Sequence, residues 1–417
     1  MSYTLLKGSF VIRYSDLPRQ GPEPDGDTVK FLPDTPALVE TLPRTSGQGP
    51  DLNARGISVR LEAIDALETH FASTHQELGL AESARDALLA LLGFTGVTFF
   101  ADQPNKVQSA DQDSIRGHVL SNGIDANGRL IGFVFPGDTG SVDGAAIFLD
   151  DTQVDQSANA RLLADGLVYP AFYASLPASL RLHLAETSRA ARAANKPIWA
   201  ESTADPDGSA TIPDLATLET LAIWPKVFRR LVPYFAAGFT DFDGLDAWLR
   251  ADPVNRDDEL LLLATAERSN MHDVIKASGT QIQLTVWPED FVISPDPAPP
   301  GVPTGPQQSV PGDVVIIAAL PDPLGADRGN ETVTLLNVSS AAMGLDGWGL
   351  VDAAGGRYEL AGSLGAGDAI RVTLSGALQL GNSGDTITLM AAKGTIVDQV
   401  TYKADQVRPG RTVFFGR

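Results

Sequence analysis

The stretch from Ser294 to Gly312 constrains this chain more than any other. Pro295, Pro297, Pro299, Pro300, Pro303, Pro306 and Pro311 fall within it. Proline lacks an amide hydrogen and fixes its own φ, so neither a helix nor a central strand can pass through. The stretch reads as an extended, semi-rigid linker over 294–312. The 417 residues therefore divide here, and each side must close its own core.

Residues 313–417 read as all-β. Asp313 to Leu320, Glu331 to Val338, Ala369 to Leu374, Thr386 to Met390 and Thr395 to Tyr402 are runs of β-branched and aliphatic residues. Glycine-rich turns separate them at roughly the eight-to-twelve-residue rhythm of a β-sandwich. Trp348 is the expected core residue.

The long N-terminal side has two textures. Over 1–203, strands are expected at Phe10 to Tyr14, Thr28 to Leu32, Ile57 to Ile64, Gly96 to Phe100 and Leu130 to Phe135. Helices are expected at Glu82 to Gly93, Ala158 to Gly166 and Ser179 to Lys196. Short strands with helices at their flanks suggest a small five-stranded barrel with helices outside it. Over 204–293 the pattern turns helical, with one alternating strand at Ile282 to Trp287, and is expected to be an accessory region without its own chemistry. Its basic cluster, Lys226, Arg229 and Arg230, is expected to form a solvated helix face; contact with a phosphate backbone is the alternative.

Composition removes several functions. There is no cysteine, so disulfides and thiolate metal sites are excluded. His70 and His75 miss the spacing that puts two ligands on one helix face, which argues against a zinc hydrolase. The formal net charge of −21 opposes a basic nucleic-acid scaffold, though an acidic protein can hold a locally basic site. No apolar run approaches a membrane span. Met1 to Gly8 lacks the pattern of a secretory leader, so the expected location is cytoplasmic, with an extracellular one the alternative.

Three segments carry the chemistry: Asp25-Gly26-Asp27-Thr28, Arg60 to Glu68, and Gly128-Arg129. Phosphodiester hydrolysis needs the phosphate charge neutralised and a water activated. Asp27 and Asp65, each at a strand end, could hold a hard cation, calcium or magnesium. Glu68 sits where it could handle a water. Arg60 and Arg129 offer guanidinium forks that match phosphate oxygens.

These segments resemble the thermonuclease, or staphylococcal-nuclease-like, family. The likeness runs through Asp25 to Val29, Arg60-x-x-x-x-Asp65-x-x-Glu68, Gly128-Arg129 and Asn159 to Tyr169, and closes at Ala190 to Trp199. It implies an OB-like barrel that hydrolyses DNA and RNA with calcium, magnesium being the alternative. Asp27, Asp65 and the Ala66 carbonyl would bind the ion, Glu68 would attend the water, and Arg60 and Arg129 would be catalytic. Tyr169 and Tyr173 are candidates for stacking on nucleotides or, equally, for packing. Ala66-Leu67 departs from the family's Thr-Pro, and loss of the proline is expected to loosen the loop that aims Glu68. The segments 32–57 and 105–124 are longer than in a minimal member and are expected to reshape access to the site. Leu345 to Asp352, Leu380 to Ile387 and Val397 to Tyr402 resemble the lamin-tail family, implying an immunoglobulin-like sandwich that binds a protein or surface partner. The expected whole is multidomain: an α+β barrel domain, a helical accessory region and a sandwich, acting as a nuclease. The alternative is a non-catalytic scaffold that retains the barrel.

Overall fold

In the computed structural model, residues 2–44, 49–253, 255–294, 313–339, 342–365, 367–392 and 396–415 are described. Most of the proline-rich linker lies outside them. Contacts divide the chain into two units, Met1–Pro300 and Gly301–Arg417.

In the first unit, five strands close a barrel. Ser2–Val11 pairs with Thr28–Pro33 on one side and with Ser114–Ile124 on the other. Thr28–Pro33 continues to Ile57–Leu61, which runs parallel to Leu130–Pro136, and that strand returns to Ser114–Ile124. Alternation explains the closure: Val29, Phe31, Ile57, Val59 and Leu61 are buried and fill the interior, while their neighbours point outward. A short sixth strand, Ala146–Phe148, extends the sheet beside Ser2–Val11.

Helix Leu78–Leu92 starts where the Glu77 carboxylate accepts the amides of Gly79 and Leu80. It stops at Gly93, whose φ of 101° suits a left-handed cap. Helix Ala158–Ala164 is pinned to the barrel by buried Asn159. Its Nδ2 donates to the carbonyls of Glu62 and Gly132 at 2.9 and 3.1 Å, and its Oδ1 accepts the Val134 amide at 3.0 Å.

Residues 204–293 are less helical than expected. Four helices are present, Leu215–Leu218, Pro225–Ala236, Leu245–Arg250 and Met271–Val274. Between them lie two three-stranded sheets, one of Ala210–Thr211, Gln281–Leu284 and Ile275–Ser278, the other of Glu267–Asn270, Glu259–Leu262 and Phe291–Ile293. The run Glu259 to Leu263 reads as helix in sequence but forms a strand, because pairing of Leu260 with Ile293 outweighs leucine's helix preference. This region shares a hydrophobic core with Leu67, Ala81, Tyr169 and Trp199, to which Ile212, Trp224, Phe228 and Phe291 contribute.

The second unit is an immunoglobulin-like sandwich. One sheet joins Ala369–Thr373, Thr332–Asn337, Val314–Leu320 and Val413–Phe414; the other joins Arg357–Glu359, Gly349–Val351, Gly384–Met390 and Ile396–Lys403. Trp348, Ile316, Leu335, Leu350 and Ile387 meet in its core. Among the described residues no helix is long and apolar enough to cross a membrane.

Candidate functional site

The site forms at one end of the barrel, where the strand Ile57–Leu61 turns into the short strand Ala63–Asp65. Thr28 lies opposite Arg60 in the ladder, and the Asp27 carbonyl accepts the Leu61 amide at 2.8 Å. This register brings the first two motif segments together. Asp27 then clamps the loop beyond: its Oδ2 accepts the Ala66 amide at 3.1 Å and its Oδ1 accepts the Thr28 hydroxyl at 2.9 Å. Gly26 is required by closeness. A Cβ there would lie 2.5 Å from the Ala66 Cβ and 2.8 Å from the Ala84 Cβ.

Glu68 is held without a proline. Leu67 is buried in the second core. Gln76, wholly buried, accepts the Glu68 amide through Oε1 at 3.2 Å, and its own amide donates to the Glu68 carbonyl at 2.9 Å. Its Nε2 reaches the Ile223 carbonyl at 2.9 Å. The loop is thus tied at both ends, contrary to the loosening expected from Leu67. Gln76 carries no motif signal; only its place after the Glu68 loop could have suggested it.

The third segment enters the strand that runs beside Ile57–Leu61. Arg129 precedes Leu130, which pairs with Val59. Gly128 takes a φ of 77°, and a Cβ on it would strike the backbone at Gly49 and Asp51, within the first inserted segment. Asp125 accepts the Arg129 amide and Nε, both at 2.8 Å. That leaves Arg129 Nη1 and Nη2 without a partner among the described residues. Arg60 lines a pocket of about 70 Å³ together with Glu62, Asp125, Asn127, Tyr173 and Ser175.

Tyr173 belongs to this polar network and Tyr169 does not. The Tyr173 hydroxyl accepts from Arg60 Nη2 at 3.0 Å and from Lys226 Nζ at 3.3 Å. Burial alone would raise its pKa, but the two cations outweigh burial and lower it. Tyr169 is 2% exposed, edge-on to Trp199, with its hydroxyl donating to Ser202 and the Ala222 carbonyl. It offers no face to a base.

The largest departure from expectation concerns the basic cluster on helix Pro225–Ala236. It is not a solvated face. Lys226 and Arg230 both pair at 2.7 Å with Asp258, itself buried. Arg229 Nη2 lies 3.0 and 2.7 Å from the two oxygens of Asp65, and its Nη1 donates to Glu68 Oε1. Burial opposes the Arg229 charge, yet these two acids hold its pKa well above the ordinary value. Burial pushes Glu68 up to about 7, with Arg229 opposing and Asp27 and Asp65 assisting. Burial, then Asp27 and Glu68, raise Asp25 well above the usual carboxylate range.

This arrangement does not fit a divalent cation. A hard ion needs carboxylate oxygens free to converge on it. Here Asp65 and Glu68 converge on a guanidinium, and one Asp27 oxygen is engaged by the Ala66 amide. Among the described residues no three His, Asp or Glu side chains are grouped to hold a metal ion. His70 and His75 turn to Glu23 and to the Gln76 carbonyl respectively.

Comparison with known proteins bears on the other end of the chain. Residues 307–404 match the family described as Lamin Tail Domain. This agrees with the sandwich and with the resemblance carried by Trp348 and its neighbours. No curated protein matches the sequence.

Proposed function

We propose that the first unit is a phosphodiester hydrolase acting on nucleic acid, and that the lamin tail domain is a module that binds a protein or surface partner. One observation carries the reading. Asp27, Arg60, Asp65, Glu68 and Arg129, drawn from three separate segments, lie on or next to three neighbouring strands whose register relates them. Among the described residues Arg129 keeps Nη1 and Nη2 unpaired and available to phosphate, and Arg60 borders the pocket. Glu68 stands where it could orient a water and take its proton, and a group titrating near neutrality suits that task. The net charge of −21 repels long polyanions, so a restrained enzyme is favoured over a digestive one.

The Arg229 pairing favours a second reading, a barrel that binds nucleic acid or protein without cleaving. A cleavage assay on single- and double-stranded DNA and RNA, with and without calcium, separates the two. Cleavage that is lost in Glu68→Ala supports the hydrolase. Four intact substrates under both conditions leave the scaffold.

A further inference from the structure

Four acids gather at the site: Asp25, Asp27, Asp65 and Glu68. Asp65 and Glu68 meet at one guanidinium, and Asp27 accepts the amide of Ala66, the residue next to Asp65. Buried carboxylates need a positive charge beside them. The chain supplies one from a position far along the sequence. Arg229 forks onto Asp65 and reaches Glu68 in the same gesture.

Its placement is built rather than incidental. Helix Pro225–Ala236 is anchored by Val227, Phe228 and Leu231, all buried in the second core. Lys226 and Arg230, on either side of Arg229, are both fixed to Asp258. These pairs restrain the helix, so Arg229 is presented to the acids with little freedom to leave. Asp65 itself is 2% exposed, and Arg229 meets both of its oxygens.

We propose that Arg229 is the resident cation of the site: its guanidinium pairs with both Asp65 and Glu68 from within the chain and excludes a divalent ion from between them. The proposal rests on the acid geometry and not on whether the chain cleaves nucleic acid. Arg229 is a positioning residue, setting the orientation and charge of Glu68 and Asp65.

The test is calcium binding by the full chain, measured by titration calorimetry. The wild type should show no binding that depends on Asp65. Arg229→Met, similar in length and uncharged, should gain a site at least tenfold tighter than any in the wild type. Asp65→Asn added to that variant should remove the gain, and Arg229→Lys, which keeps the charge, should gain little. The proposal is overturned if wild type binds calcium and Asp65→Asn abolishes it. It is equally overturned if a folded Arg229→Met, judged by circular dichroism, gains nothing. Should Arg229→Met not fold, wild-type melting decides: a calcium-dependent rise in Tm that Asp65→Asn removes overturns the proposal, and an unchanged Tm supports it. Because calorimetry reads binding alone, failure here leaves the cleavage assay to judge the hydrolase separately.

Discussion

Arg60 donates from Nη2 to the hydroxyl of Tyr173 at 3.0 Å, and its guanidinium lies 4.8 Å from the centre of the same ring. The phenol therefore holds the arginine in two ways, by its oxygen and by its face. Lys226 approaches the same oxygen at 3.3 Å. Arg60 is thus fixed within the chain before any ligand arrives.

The forked geometry of the arginines is the first thing to test. Arg60→Lys and Arg129→Lys keep the charge but cannot grip two oxygens at once. Each should lower cleavage turnover by roughly a hundredfold to a thousandfold, the scale for losing one transition-state donor. Rates within a few-fold of wild type in both variants would remove the proposed roles.

Tyr173→Phe keeps the ring and deletes the oxygen. Arg60 and Lys226 then lose a shared acceptor in a half-buried network. The expected cost is about 1–3 kcal/mol of stability, read from urea unfolding of the intact chain. An unchanged midpoint would mean the hydroxyl contact does not hold in solution.

Gly26→Ala places a methyl between Ala66 and Ala84, at distances no Cβ tolerates. The Asp25–Asp27 turn must then move away from the loop that carries Ala66. Overpacking of this kind costs about 1–3 kcal/mol, and Gly26→Ala with Ala66→Gly should recover part of it. A single variant as stable as wild type would show that the turn and loop are not in close contact.

Glu62 gives the barrel a pH dependence. Its Oε1 accepts the Asn122 amide at 2.8 Å, with the Tyr3 hydroxyl beside it. Burial pushes its pKa up to about 7, above the ordinary value of 4.5. A raised carboxyl favours the folded state while protonated. Its contribution is fully present below pH 4.5 and is lost as pH rises through 7. Glu62→Gln should therefore flatten the fall of Tm between about pH 5 and pH 8. Glu331 in the sandwich is also raised to about 7, so the comparison must be variant against wild type. Identical slopes in the two would argue that Glu62 is ionised in the folded chain.

Four barrel strands were legible because alternation and turn residues are local signals, but the expected strand at Gly96 to Phe100 pairs outside the barrel with Gln103–Ser109, and Ser114–Ile124, read as part of a longer segment, is the fifth strand. Val29, Phe31, Val59 and Leu61 announce an inward face, and Gly93 announces the end of a helix. Trp348 marked the sandwich core for the same reason. Arg229 was not legible. Its partners, Asp65 and Glu68, lie 164 and 161 positions away, and no periodicity reports a pairing at that range. Gln76 was missed for a related reason. A buried glutamine is recognised by the backbone groups it satisfies, and those appear only once Glu68 and Ile223 are near it.

The second core has a practical consequence. Leu67 and Tyr169 border the motif residues, yet their packing partners include Ile212, Trp224 and Phe228. A fragment trimmed at residue 203, the length the nuclease likeness would suggest, keeps the motif residues but strips this apolar wall to water. Such a surface invites aggregation, and a silent or insoluble fragment would say nothing about catalysis. Expression designs for the barrel should run through Ile293, the last residue of the strand Phe291–Ile293 that pairs with Glu259–Leu262.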